Sequence, residues 1–567
     1  MMLGSSMPAA PIQLRDINLF VTTDVHSFIA SHFHADGLCG DHQRCDADFG
    51  TLSSFIERLR ERADKEKKDI FFFDNGDVVD GTGLSSATDV DGLAVLPLLA
   101  KMPYDALNCG NHELYQSSTV LDGLIANGSS GGPQSFVDYW NGTYLTSNIN
   151  ISSTRTSLGA RYTKLRGKHG TRLLVMGWMY EMPPGAGGHC DAVDVTKITA
   201  AVTEPWFRAA MAAVTSGSVD AVVVLAHMHY VDPLVSTLLQ AIRTAVGASV
   251  PVQFLTGHSH IRAWKRLDAR AATLEAGHYG DTLGFASFDV PRRGDAAPTE
   301  ATKFGYDYLP MRRQNLINAV GMAANSSAFD TPDGVALSRR IRDVRAQYGL
   351  SAVLGCAAHY YNRVALWGLY MKTVAPAHLF SPAHNASQWF VTSTGALRYD
   401  LYAGNVTADD IDMALPFADT LFVVQNVDGT ALTTALQLLL NGSVVPAGGD
   451  RCGSQDSAAT ADDALGGTGM RPLAAAASTG LPNYVATANA LQPAGRYDAI
   501  VGRFDKVCVA AAIQMAMGAA SPAELVPYDE HAVAPSGTVP PPKDDTHAWM
   551  RWARSLPQPP CAAMDVE

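Results

Sequence analysis

Residues 107–118 read LNCGNHELYQSS: an apolar, strand-like run that ends in Gly110, Asn111, His112 and Glu113, a cluster with no value as core. A lone Asn or His at a strand end is an ordinary turn former, so the meaning of this cluster depends on its company. Five further short apolar runs in the first 300 residues also close on polar residues: INLFVTTDVH, DIFFFDNGDVVDG, TRLLVMGWMY, VDAVVVLAHMH and VPVQFLTGHSH. Between them lie stretches such as FGTLSSFIERLRERADKEKK, with apolar residues at helical spacing and charges between. Strands alternating with helices predict α/β or α+β layers. In such sheets functional groups collect where loops converge at the carboxyl ends of strands, and that is where these clusters stand.

The clusters use residue types that hold divalent cations. Asp24 and His26 form D-x-H, Asp77 stands in GDVVDG, Asn111 and His112 in GNHE, His227 follows VVVLA, and His258 and His260 belong to GHSH. Carboxylate, imidazole and amide oxygen together suit Zn, Mn, Fe or Mg. One carboxylate bridging two ions about 3.5 Å apart is the usual arrangement for phosphoester hydrolysis. P-loop, G-x-S-x-G and dinucleotide-binding patterns are missing in usable context, which removes kinase, serine hydrolase and dehydrogenase readings.

In this order the motifs resemble the calcineurin-like metallophosphoesterases, and TLEAGHYGDTLGFASFD after GHSH resembles their 5'-nucleotidase branch. The resemblance implies a four-layer αββα sandwich followed by a second, smaller α/β domain. It implies that Asp24, His26, Asp77 and His260 hold one ion, while Asp77 as bridge, Asn111, His227 and His258 hold the other. His112 would be catalytic, stabilising charge on the phosphoryl group or assisting the leaving oxygen. One departure stands out: that branch commonly has an acidic residue three positions after this His to orient its ring, and here the position is Tyr115. Glu113 and Asp105 are then the candidates for that task.

Farther along, FVTSTGALRYDLYAGNVTADDIDMALPFADTLFVVQNVDGTAL resembles the C-terminal 5'-nucleotidase domain, whose role is to bind the nucleoside part of the substrate. Arg398 matches the family's substrate-binding arginine, Ser393 falls where its asparagine would, and Phe422 and Tyr497 are candidates for stacking on a base. The expected organisation is a metallophosphoesterase domain over 1–305, a linker or helix over 306–340, a substrate domain over 341–545 with a Gly/Ala/Ser/Asp-rich insertion near 446–480, and a tail over 546–567.

The chain has 567 residues, 42 Lys+Arg against 55 Asp+Glu and a formal net charge of -13, which disfavours nucleic acid and anionic membranes as partners. Its apolar runs are too short for a membrane span. Seven N-x-S/T sequons, at Asn127, Asn141, Asn150, Asn325, Asn385, Asn405 and Asn441, and eight cysteines point to a secreted or vacuolar/lumenal glycoprotein. Cys39 and Cys45 are the nearest candidates for a disulfide. The N-terminal stretch MMLGSSMPAAPIQLRD lacks the pattern of a signal peptide, which keeps a cytoplasmic alternative open. The expected function is that of a 5'-nucleotidase-like phosphomonoesterase for a small nucleotide or other phosphoester. The alternatives are a catalytically weak metal-binding protein, or a hydrolase of a cyclic nucleotide, a nucleotide sugar or another ester.

Overall fold

The computed structural model describes residues 11–33, 44–185, 188–290, 301–380, 387–416, 420–444, 484–487, 491–502, 505–518, 524–528, 545–558 and 561. They divide into two compact units, one drawn from Met1–Asp80 and Ala87–Arg345, the other from Gly81–Ser86, Ala346–Asp463 and Ala477–Glu567. The Cys39–Cys45 pairing and the insertion at 446–480 lie outside the described residues.

In the first unit, one six-stranded sheet runs, in spatial order, Phe304–Pro310, Thr282–Phe288, Ile17–Thr22, Asp69–Asp74, Ala106–Asn108 and Tyr144–Leu145. A second runs Arg262–Asp268, Ala271–Ala276, Val252–Thr256, Ala221–His227, Arg172–Met179 and Tyr162–Arg166. Side chains alternate across a strand, so Ile17, Leu19 and Val21 enter a core shared with Val175, Val223 and Leu225 of the other sheet. The strand Ile17–Thr22 is buried at all six positions, which is why it reads as a continuous apolar run.

Helices cover both outer faces. Phe49–Glu66 starts at Asp48, whose carboxylate accepts the Thr51 N–H at 2.8 Å, and ends at Lys67 in the left-handed conformation. Its buried stripe of Leu52, Phe55, Ile56, Leu59 and Ala63 recurs at three- and four-residue spacing. The Phe55 ring meets Phe20 edge-on at 5.9 Å, and replacing it with Ala would cost roughly 3–5 kcal/mol. On the far side, Met176, Trp178, Val222 and Val224 pack against Pro205–Thr215 and Pro233–Val246. The result is the αββα sandwich. Its central strands are parallel within each sheet, so their carboxyl ends share one edge.

The second unit carries a mixed sheet in the order Tyr484–Ala486, Gln388–Ser393, Arg496–Gly502, Leu421–Asp428 and Val526–Pro527. Alternate residues again divide: Trp389 and Val391 pack with helices Gly429–Leu440 and Lys506–Met517, whereas Phe390 packs with Trp367, Tyr370, Trp549 and Trp552. The segment expected as a tail, 546–567, supplies a helix to this core. Its helix Asp545–Ser555 contributes two buried tryptophans, and Cys561 beyond it is disulfide-bonded to Cys356. No helix among the described residues is long and apolar enough to cross a membrane.

Candidate metal centre

The expected donors all lie on or just past the carboxyl ends of the parallel strands. Asp24 and His26 follow Ile17–Thr22, Asp77 follows Asp69–Asp74, Asn111 and His112 follow Ala106–Asn108, His227 ends Ala221–His227, and His258 and His260 follow Val252–Thr256. Asp24, His26, Asp77, His258 and His260 have φ of 52, 45, 56, 76 and 59°, a left-handed backbone that L residues rarely adopt. Mutual bracing holds it: the Asp24 N–H donates to the Gly76 carbonyl at 3.0 Å and the His26 N–H to the Asp77 carbonyl at 2.8 Å. Asp24 in turn accepts the His258 N–H at 2.9 Å, so three ligand loops are tied together by main-chain donors.

Two donor groups emerge that share Asp77, one of Asp24, His26, Asp77 and His260, the other of Asp77, His227 and His258. His26 Nδ1 donates to the Asp80 carbonyl at 2.9 Å and His227 Nδ1 to the Asn75 carbonyl at 2.8 Å, which fixes both tautomers and turns each Nε2 toward the cluster. The Nε2 atoms of His26 and His260 face each other at 3.2 Å, a spacing that suits two nitrogens each about 2.0–2.1 Å from one ion. His227 Nε2 lies 3.0 Å from Asn111 Oδ1 and 3.0 Å from Asp77 Oδ2. That Oδ2 is buried, and no hydrogen-bond partner meets it in good geometry. A buried carboxylate oxygen left open among imidazole nitrogens fits divalent cations, and the donor set fits two.

The electrostatics agree. Burial pushes Asp24 up to about 6. Burial also opposes ionisation of Asp77, but the imidazoles of His227, His112 and His26 hold it well below the usual range. His227, whose burial disfavours charge, is nevertheless pushed up to about 10 by Asp77. Protons are held here by a field that wants positive charge.

His112 lies beside this cluster, its Nε2 4.0 Å from Asp77 Oδ2 and its N–H bonded to Asp77 Oδ1 at 2.9 Å. Its Nδ1 meets Asp80 Oδ2 at 2.7 Å, so the acid that orients the ring comes from the other end of GDVVDG. Glu113 is otherwise engaged: fully buried, it accepts the main-chain N–H groups of Asp77, Val78, Val79 and Gly110 and fastens two ligand loops to each other. Asp105 bonds Arg60 at 2.7 Å and the Phe72 N–H at 2.8 Å. Tyr115 is more than packing. Its hydroxyl accepts from Asn111 Nδ2 at 2.8 Å and so keeps Asn111 Oδ1 toward His227.

A sequence profile of the calcineurin-like phosphoesterases matches residues 17–262, and one of the NAD nucleotidase C-terminal domain matches residues 357–468. An uncharacterised protein of Schizosaccharomyces pombe is 30% identical over 440 residues, covering 72% of this chain and 69% of that one. The chain belongs to the calcineurin-like metallophosphoesterases, 5'-nucleotidase branch. A secreted protein of Arthroderma benhamiae is 27% identical over 481 residues, covering 77% of this chain and 69% of that one. In fold, this metallophosphoesterase is similar to a 5'-nucleotidase from Candida albicans, with a TM-score of 0.75 at 20% identity over 97% of this chain and 100% of that one. It is also similar to the sulfate thiohydrolase SoxB from Thermus thermophilus, with a TM-score of 0.59 at 13% identity and 97% coverage of both chains.

Sequence reasoning missed one further residue of the phosphoesterase unit. Glu275, fully buried on Ala271–Ala276, accepts from the Tyr230 N–H at 3.2 Å, the Ser259 N–H at 3.1 Å and the Ser259 hydroxyl at 2.7 Å. It joins the loop after His227 to the GHSH loop, as Glu113 joins the other two. Burial, with Asp24 behind it, pushes its proton affinity up, against donors that favour the carboxylate. The signal was available in TLEAGHYG, as an acid at an inward strand position.

The second unit treats its expected substrate residues differently. Arg398 is half-buried, its N–H on the Ala414 carbonyl at 2.9 Å. Ser393 is buried, its N–H held by Asp505 at 2.7 Å. Tyr497 is 7% exposed, its hydroxyl accepts the Gln492 N–H at 2.8 Å, and its ring packs in the core beside Gly429 and Gly495. Phe422 is half-buried against the same core, with Lys506 Nζ 4.3 Å from its ring centre. The two rings do not meet as a pair: in the ladder Phe422 stands opposite Val501 and Tyr497 opposite Val427.

Proposed function

We propose that the chain is a metal-dependent phosphomonoesterase that hydrolyses nucleotides, with Asp24, His26, Asp77 and His260 holding one divalent cation and Asp77, Asn111, His227 and His258 the other. The observation that carries this reading is the buried Asp77 Oδ2, open between two sets of donors. Bound cations supply positive charge to the phosphoryl oxygens and make water a usable nucleophile near neutral pH. The protein's own contribution is orientation. Main-chain carbonyls fix the tautomers of His26 and His227, Tyr115 fixes the Asn111 amide, and Glu113 and Glu275 hold the loops.

His112 is the residue proposed to touch the reacting group. With Nδ1–H donated to the Asp80 carboxylate, its Nε2, when protonated, donates to a phosphoryl oxygen or gives its proton to the leaving oxygen. Arg398 in the second unit is proposed to bind substrate, since a guanidinium forks onto a phosphate.

A second reading is favoured by the buried ring of Tyr497: a phosphoester whose leaving group is not a nucleoside. The test is release of phosphate from AMP, cyclic AMP, a nucleotide sugar and p-nitrophenyl phosphate with Mn²⁺, Zn²⁺ or Mg²⁺ added, alongside Asp77→Asn. Turnover of AMP that is lost in the variant supports the nucleotidase; turnover of other esters but not AMP supports the second reading. An Asp77→Asn protein with near-normal activity would sink the two-metal assignment.

The proposed compartment is the secretory pathway or a vacuolar lumen. The Cys356–Cys561 disulfide and a second disulfide at Cys508 need oxidising surroundings, and the A. benhamiae relative carries the name of a secreted protein.

A further inference from the structure

We propose that the mature protein carries N-linked glycans at Asn127, Asn141, Asn325, Asn405 and Asn441 and none at Asn150, an inference that rests on the lumenal placement above. A sequon is used in the folded product only where the amide nitrogen can leave the protein surface and the sugar finds water. These five asparagines are exposed. Asn127, Asn141 and Asn441 are each followed by a glycine with positive φ, at Gly128, Gly142 and Gly442, which marks turns that project from the surface. Asn141 and Asn325 are themselves left-handed, with φ of 47 and 55°. Open space adjoins two of the sites: a Cβ built on Gly142, beside Asn141, or on Gly404, beside Asn405, meets nothing within 4 Å.

Asn150 has the same sequence signal but is half-buried, with both atoms of its side-chain amide engaged. It sits on Ile149–Ile151, paired with Asp194 on one side and bridged to Ser157 on the other. Its Nδ2 donates to Thr196 Oγ1 at 3.2 Å and its Oδ1 accepts from Arg161. Attachment at that nitrogen would displace its hydrogen bond to Thr196 and set a sugar against the Arg161 side chain that holds Oδ1.

The chemistry is transfer without redox change. The asparagine Nδ2 forms a bond to C1 of the first sugar of an oligosaccharide carried on a lipid diphosphate. The C1–O bond to the diphosphate breaks, the lipid diphosphate leaves with the electron pair, and Nδ2 gives up a proton.

The test is to purify the protein from the cells that make it, release N-glycans enzymatically in H₂¹⁸O, and map both the Asn-to-Asp conversions and the disulfides by peptide mass spectrometry. The expected result is ¹⁸O-labelled Asp at the five exposed positions, unmodified Asn150, and an intact Cys356–Cys561 link. A glycan on Asn150, or intact disulfides with the five sites bare, overturns the assignment. Bare sites with reduced Cys356 and Cys561 overturn it together with the lumenal placement.

Discussion

Replacing Asp80 by Asn separates the orientation of His112 from the holding of cations. Asp80 Oδ2 is 2.7 Å from His112 Nδ1, with the two side chains 18% and 12% exposed, so the bond is charge-assisted and partly shielded from water. A hydrogen bond to a charged group contributes about 1.5–3 kcal/mol, which at 1.36 kcal/mol per decade corresponds to a fall in kcat of roughly 10- to 150-fold if the bond acts in the transition state. Asn is the right substitute because Asp80 has a φ of 62°, which Asn tolerates, and because the Asp80 carbonyl that anchors His26 is retained. Steady-state hydrolysis of AMP and p-nitrophenyl phosphate should show the loss in kcat with both metals still bound by elemental analysis, and a larger loss for AMP, whose alkoxide leaves less readily. His112→Ala should lower kcat by roughly 10²- to 10⁴-fold, and Asp80→Asn should add nothing in that background. Unchanged kcat in Asp80→Asn, or full additivity with His112→Ala, would refute the pairing.

Tyr115→Phe removes the acceptor that fixes the Asn111 amide and should weaken the cation held by Asn111, His227 and His258 by roughly 10- to 100-fold, with the other little changed, as read by calorimetric titration of Mn²⁺. Glu275→Gln puts an amide N–H₂ against main-chain donors. It should lower both the melting temperature and metal affinity, and a silent substitution would mean that Glu275 carries a proton. Asp74, which accepts from Thr22 and the Gly76 N–H, is pushed up to about 8 by burial. Its folded value exceeds its unfolded one, so the stability it confers is full below about pH 4 and is lost as pH rises toward 8, with a slope of at most about 1.4 kcal/mol per pH unit. Asp74→Asn should therefore gain on the parent steadily across that range in melts at pH 5, 7 and 9, and a constant difference would refute the shift.

The strand-end donors were legible in the sequence because local pattern makes them so: an apolar run fixes a strand, and the residues just past it must sit on the sheet's carboxyl edge. The partner of His112 was not. Asp80 stood in the quoted GDVVDG, but 32 positions separate it from His112, and only the left-handed turn at Asp77 and Asp80 brings its carboxylate across. Glu113, adjacent in sequence, points the other way into four main-chain N–H groups. The surroundings of the aromatic candidates were not legible for a different reason: Phe422 and Tyr497 have the composition of a stacking pair, but on a strand a ring faces core or solvent by the parity of its register, which motif spacing does not reveal. Trp549 and Trp552 were legible in part: a short Trp-containing segment between proline-rich flanks reads as one helix docking on the body, and both rings are buried.

The left-handed backbone beneath five of the donors bears on any attempt to move this centre elsewhere. At roughly 1–2 kcal/mol for each L residue held left-handed, the five together approach the entire net stability of an ordinary domain. A designer who copied the side chains onto idealised strands and loops would reproduce the formula of the site and lose its directions, since each Cβ would leave the chain at the wrong angle. What must be transplanted is the set of braced loops, with Glu113 and Glu275 inside them.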